Sequence, residues 1–316
     1  MTKLIEILIR IADFHIDKKD CMMDLAEHAK KMRLIVYKHM LNTRGWKYKA
    51  FLRYLRFFKY ISFAKRRGEF LESYYTLMRY LDDIVDGDAP LPKDYTNSVD
   101  YIIDKIKFSK KPVNPVDEVD YLMLHCFNVA NSFGEEFTAE TEDILNSLLF
   151  DARRKDKWIV FPEKELQLHF HLMDIRGTIK ATLKIFKEDP DKYHFLEPLG
   201  TASRYQYDLE DFEDDIKAGY VNISAEDCSL FGIDPDELYH KDSEPVKEWL
   251  HYHAQQGLYL LEEHHRLLPQ AKFSWLARAT FPLVYELPAK KCFQKIMTEI
   301  KISKTKNNVC IQPVME

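Results

Sequence analysis

An all-α fold in a single domain is what this sequence predicts, and three observations predict it. Apolar residues recur at three- and four-residue spacing through most of the 316 positions. Only 9 glycines are present, few for a doubly wound sheet with glycine-rich turns. The breaks are short and rich in Pro, Gly, Asn and Asp: DGDAPLP (86–92), SKKPVNP (109–115), KEDPD (187–191) and FGIDPDE (231–237). None is long or polar enough to mark a domain boundary, and no strand alternation, hairpin signal or repeat is visible.

The first helix is expected at 3–14, where LIEILIRIA carries Glu6 and Arg10 and is too short and too charged for a membrane span or a signal core. Helices at 20–41 and 46–60 follow. The next, at 62–86, has Tyr74, Tyr75, Leu77, Met78, Leu81, Ile84 and Val85 on its apolar side and stops at Gly87 and Pro90. Further helices are expected at 95–108, 115–133, 138–154, 163–187, 193–217 (capped by Gly219), 244–266, 272–285 and 288–301. Residues 1–60 read as a basic helical region packed on a core of 61–302, and 303–316 as a tail.

Charge is uneven along the chain. Residues 1–67 hold 17 Lys/Arg against 6 Asp/Glu, while the rest holds 29 against 45. From Lys30 to Arg67 there are 13 basic residues and no acid, and aromatics interleave with them in WKYKAFLRYLRFFKYISF (46–63). A packed helix with a solvated basic face is the first reading, and peripheral contact with an anionic membrane the second. Nucleic acid is excluded by the acidic remainder, which would repel phosphate backbones. The five cysteines are scattered without a CxxC pair, so neither a disulfide framework nor a zinc ribbon is indicated, and a cytoplasmic location is expected.

Two acidic stretches carry the chemistry. RYLDDIVDGD (79–88) sets Arg79, Asp82, Asp83 and Asp86 at helical spacing, at a helix C-terminus that already carries partial negative charge. YDLEDFEDDIKAG (207–219) has six acids in the eight positions from Asp208 to Asp215. On a helix, Asp208, Asp211 and Asp215 share a face with Arg204 one turn earlier, and Glu210, Asp214 and Lys217 share another. Like charges at this density destabilise a helix unless a cation neutralises them. Hard divalent cations favour carboxylate oxygens, and Mg²⁺ binds through one or two of them together with substrate phosphates. Two facing carboxylate rows can hold several Mg²⁺ ions that in turn grip a diphosphate, and the plain alternative is a solvated acidic face.

The residues resemble the squalene/phytoene synthase family of trans-isoprenyl diphosphate synthases, as a divergent member. DDIVD (82–86) looks like its DDxxD motif within ISFAKRRGEFLESYYTLMRYLDDIVDG (61–87). LGTASRYQYDLEDFEDDIKAGYVNIS (199–224) resembles the second acidic block, and LLFDARRKDKWIVFPEKELQLHFHLMDIRGTIKATLKIF (148–186) stands in place of the middle block. The resemblance implies an all-α isoprenoid synthase-type bundle with a central cavity, and Mg²⁺-assisted ionisation of a farnesyl or geranylgeranyl diphosphate. It implies head-to-head condensation of two such substrates. Asp82, Asp86, Asp211 and Asp215 would be catalytic. The metal set would be Asp82, Asp83, Asp86, Asp208, Asp211 and Asp215. Arg79 would touch diphosphate or brace an aspartate. Beside the resemblance, the charges of Arg204, Lys180 and Lys217 make them further expected diphosphate contacts, and Phe63, Tyr74, Tyr207 and His171 are cavity candidates.

Departures from the family pattern leave two other outcomes. Arg204 and Tyr207 replace Gln and Asn, Glu210 replaces Arg, and Tyr220, Asn222 and Ser224 replace Arg, Tyr and Pro. In the middle block, IRGTIK puts Arg176 and Lys180 where small residues let substrate chains pass. A narrowed pocket would suit a terpene cyclase acting on one prenyl diphosphate, and a relative without activity would serve in assembly. His169 and His171 read as partly buried polar residues, EEHHR (262–266) as a solvated face, and no glycine loop supports an NADPH step.

Overall fold

The computed structural model describes residues 24–39, 41–42, 53–55 and 65–300. All regular structure among them is helical, with no strand. Helix α1 covers residues 24–39. It is followed by α2 (Lys65–Asp86), α3 (Ser98–Lys110), α4 (Glu118–Asn131), α5 (Thr138–Arg154) and α6 (Glu163–Phe170). A π-helical run, His171–Ile179, continues without a break into α7 (Lys180–Ile185). Then come α8 (Glu197–Glu210), α9 (Phe212–Lys217), α10 (Ala225–Phe231), α11 (Glu244–Ala271), α12 (Trp275–Phe281) and α13 (Leu287–Glu299).

Local chemistry sets the ends. Asn97, Asp117, Ser224 and Ser243 each accept a bond from a backbone N–H of the first turn that follows, satisfying a donor that the helix cannot. Helix α10 was not expected from the sequence, since it is only seven residues long. Its start is nonetheless written in Ser224 and its stop in Gly232, which adopts φ +67°.

The long helices enclose one core. Phe70, Leu77 and Leu81 of α2, Leu145 and Leu148 of α5, Leu199 and Ala202 of α8, and Trp249 and Leu250 of α11 are all buried in it. Helix α11 lies along α8, α5 along the π-helical run, and α4 along α2. Both acidic stretches therefore sit on helices whose other faces are fixed by the core. Helix α1 packs on α2 through Tyr37, whose hydroxyl donates to Glu72 at 2.8 Å, and through Arg33, which reaches Ser73 at 3.2 Å. The boundary placed at residue 60, the tail at 303–316, Phe63 and most of the aromatic basic stretch lie outside the described residues.

Candidate active site

The first acidic stretch closes α2. Arg79 spans two of its carboxylates, with Nη1 at 2.6 Å from Asp82 and Nη2 at 2.5 Å from Asp83. Asp83 is buried, and its other oxygen lies 3.5 Å from His39. His39, Asp83 and Asp88 place three donor atoms within 4.8 Å of one another. Asp83 thus faces Arg79 and α1 in an internal ion pair, inside the one cluster among the described residues whose donor atoms lie close enough to share a metal ion. Asp86 is half-buried and turns the other way, accepting from the Tyr220 hydroxyl at 2.9 Å. Its backbone carbonyl accepts from Lys155 Nζ at 2.7 Å, so a lysine supplies the cation that a helix C-terminus favours.

The second stretch is bent at its centre. Helix α8 ends at Glu210, Asp211 adopts φ −101°, ψ 5°, and α9 starts at Phe212. The backbone ladder carries across the joint, from Asp211 N–H to Tyr207 and from Asp215 N–H to Asp211. Asp208 is buried and held by Arg204, both guanidinium contacts being to one oxygen at 2.5 and 2.9 Å, while His253 lies 3.5 Å from the other. Asp208 and Arg204 are therefore partners of one another. Asp211 is exposed, and Asp215 is half-buried and accepts from Asn222 Nδ2 at 2.8 Å.

A short connection joins the two stretches. Arg154, buried at the end of α5, donates to Asp151 (2.8 Å), to Asn222 Oδ1 (2.8 Å) and to the Val221 carbonyl (3.2 Å). Its guanidinium also lies over the Tyr220 ring, 5.0 Å from the centroid. One arginine thus positions Tyr220 and Asn222, which contact Asp86 and Asp215 respectively. Residues 156–158 are laced to Gly219 by bonds from Asp156 N–H to Ala218 and from Trp158 N–H to Gly219. Gly219 has φ +81°, and a Cβ there would stand 2.5 Å from Asp156 Cα. Gly219→Ala is therefore expected to cost about 2–4 kcal/mol, from the left-handed backbone and the overlap together. A melting curve checks this. A variant as stable as the parent would mean that the 156–158 connection can move aside.

Electrostatics separates two kinds of carboxylate. Burial, and then the neighbouring Asp82, push Asp86 up to about 8. Burial pushes Asp215 up to about 7 despite the opposing pull of Arg204. Asp174, on the π-helical run, rises to about 7 from burial, against the pull of Arg204, and its Oδ2 is buried without a hydrogen-bond partner. Asp151 behaves oppositely. Burial raises it, but His169 and Arg154 outweigh burial and hold it well below the usual carboxylate range. Asp86 and Asp215 are thus carboxylates short of positive charge, whereas Asp151 is supplied with it.

Several residues named from the sequence are placed elsewhere. Lys180 lies over the Tyr193 ring, 4.2 Å from its centroid, and its charged neighbours are Asp143 and His171. These partners lie outside both acidic stretches. Arg176 is exposed and paired with Asp143 at 2.9 Å. Lys217 is exposed and paired with Asp214 at 3.2 Å. Tyr74 is buried, stacked on Phe70 and hydrogen-bonded to Thr141. Tyr207 is 43% exposed, and His171 meets Tyr193 edge-on. His264 of EEHHR is fully buried, while His265 next to it is exposed. Two concavities, of about 360 and 300 Å³, open elsewhere on the described surface, and no residue of either acidic stretch lines them.

Asp151, Arg154, Tyr220 and Asn222 were not singled out from the sequence as site residues. The first two had a signal, an Asp and an Arg three apart in the last turn of an amphipathic helix. The last two stand out in the sequence only as departures from the family pattern after Gly219.

Solved structures share this architecture. A dehydrosqualene synthase crystal structure, complexed with a ligand, matches at a TM-score of 0.54 and 19% identity, over 78% of this chain and 80% of that one. Squalene synthase HpnC from Alicyclobacillus acidocaldarius matches at 0.62 and 15%, over 88% and 97%. The sequence matches no protein-family model and no curated protein significantly. The chain has the all-α isoprenoid synthase fold of these two enzymes.

Proposed function

We propose that this protein is a Mg²⁺-dependent prenyl diphosphate-ionising enzyme that joins two prenyl diphosphates head to head. The carrying observation is the hydrogen bond from the Tyr220 hydroxyl, just after the second acidic stretch, to Asp86 of the first, 134 residues away. The likeness in fold to two squalene-type synthases supports the substrate class.

The donor set fits the metal. Asp82, Asp86, Asp211 and Asp215 offer only oxygens, as Mg²⁺ prefers, and two of them are raised by burial and like charge. Bound Mg²⁺ would neutralise negative charge as it develops on the departing diphosphate. The chain's own part is to hold that geometry. Arg79 fixes Asp82, the Tyr220 hydroxyl orients Asp86, and the Asn222 amide orients Asp215. Asp211, at the bend, is the most accessible of the four.

A second reading, cyclisation of one prenyl diphosphate, is favoured by the buried charges. Asp174, Arg204 and Asp208 lie where the middle block meets the second stretch, and room they take is lost to a second hydrocarbon chain. Incubation with geranyl, farnesyl and geranylgeranyl diphosphates plus Mg²⁺, followed by product masses, separates the readings. Products with two prenyl chains support condensation, and products with one support cyclisation. Folded protein that consumes none of the three overturns both and leaves the assembly role.

A further inference from the structure

Helices α12 and α13 follow one another without a break through the π-helical turn Pro282–Glu286. Their inner face is core: Phe281, Ala289 and Phe293 are fully buried, and Cys292 meets the Gln206 carbonyl of α8. Their outer face is apolar and open. Trp275, Leu283 and Leu287 are 69%, 58% and 55% exposed. Together with Ala279 they follow one another at four-residue steps, which keeps neighbours on one side of a helix. A single exposed leucine is ordinary, but a continuous apolar stripe marks a contact surface.

Charge identifies the contact. From Lys272 to Glu299 the chain carries five basic residues and two acidic ones, and one of the acids, Glu286, is paired with His265 at 2.8 Å. Lys272, Arg278, Lys290 and Lys291 are all exposed beside the stripe. Near its N-terminal end lies the 300 Å³ concavity, lined by Lys65, Arg66, Arg67, Lys187 and Phe133, in which Arg66 is paired with Glu69 and Arg67 with Glu135. The link is local. Lys187 precedes Glu188, whose Oε1 accepts from the Ser274 N–H at 2.7 Å, next to Trp275.

We propose that this face docks on an anionic lipid bilayer. Trp275, Leu283 and Leu287 enter the headgroup boundary, the lysines of α13 lie against the charged leaflet, and the basic concavity takes a lipid phosphate. A second copy fits less well, because a two-fold interface sets a patch against itself and would bring these cations together. Among the described residues no helix is long and apolar enough to cross a membrane, so the contact is a surface one. The inference does not rest on the reaction proposed above.

Sedimentation of the full chain with phosphatidylcholine vesicles, with and without phosphatidylglycerol, tests it. Binding is expected only with the anionic lipid and is expected to weaken as salt rises. Leu283→Ser with Leu287→Ser should lower the partition constant about tenfold or more. Lys290→Gln with Lys291→Gln should lower it about fivefold per lysine, 1 kcal/mol each. All four side chains are exposed, so melting temperatures should not change. No binding at low salt overturns the proposal. So does undiminished binding by both variants, which would move the contact to the basic stretch at 30–67. A dimer that the leucine variant converts to monomer, without vesicle binding, would make the stripe an interface between copies.

Discussion

Asp86→Asn is expected to lower turnover about 10²–10³-fold, the scale at which one preorganised electrostatic contact to a transition state is lost, while making the metal-free fold more stable. The second half follows from linkage. Asp86 rises in the folded chain from 3.8 to about 8. Between those values the folded state keeps a proton that the unfolded state has released, so the contribution of this group to stability falls as pH rises through the window. Asparagine cannot ionise and still accepts from Tyr220. The variant's melting temperature in EDTA should therefore match the parent's near pH 4 and exceed it near pH 8. Mg²⁺ with diphosphate should reverse the order, by stabilising only the parent. An Asn variant that is less stable than the parent at pH 8 in EDTA would mean that Asp86 already has its cation inside the protein.

Arg154→Met should have the largest effect on folding. The guanidinium is 4% exposed and meets a carboxylate, an amide oxygen and a backbone carbonyl, with aromatic rings beside it. Removing it leaves the half-buried Asp151 with His169, at 3.2 Å, as the remaining partner of the two. Breaking a buried pair from one side costs about 3–5 kcal/mol. Tyr220 and Asn222 would lose their common anchor as well, so Mg²⁺-dependent stabilisation by diphosphate should fall further than stability alone requires. Arg154→Lys, which keeps the charge but not the fork, should recover part of the stability and little of the coupling. If Arg154→Met melts within about 1 °C of the parent, the network does not hold the two stretches together.

The sequence made the helices legible because apolar periodicity over twenty residues has few other solutions, and α2 ends at Asp86 as expected. It made the acidic stretches legible because runs of carboxylates in apolar helices are costly. What it could not show is which carboxylates the fold neutralises internally. Asp83 and Asp86 are three positions apart, yet one is paired with Arg79 at 2.5 Å and the other faces Tyr220 from a distant loop. Lys180 looked like a diphosphate contact because it replaces a small residue, but a π-helical run immediately precedes it and its ammonium lies over Tyr193. A π-helical run leaves no pattern in the residues that a periodicity argument can read. Asp211 was expected within a continuous helix, and the fold instead bends there while keeping its hydrogen bonds.

The central claim is that the two acidic stretches form one metal–diphosphate site, and a melting curve with inorganic diphosphate tests it without any choice of prenyl chain. Mg²⁺ and diphosphate together should raise the stability of the full chain by about 2.7 kcal/mol at a hundredfold excess over the dissociation constant. Neither alone should do so, and Asp86→Asn or Asp215→Asn should remove the effect. Equal stabilisation of the parent and both variants, or none in the parent at millimolar Mg²⁺ and diphosphate, would contradict the account.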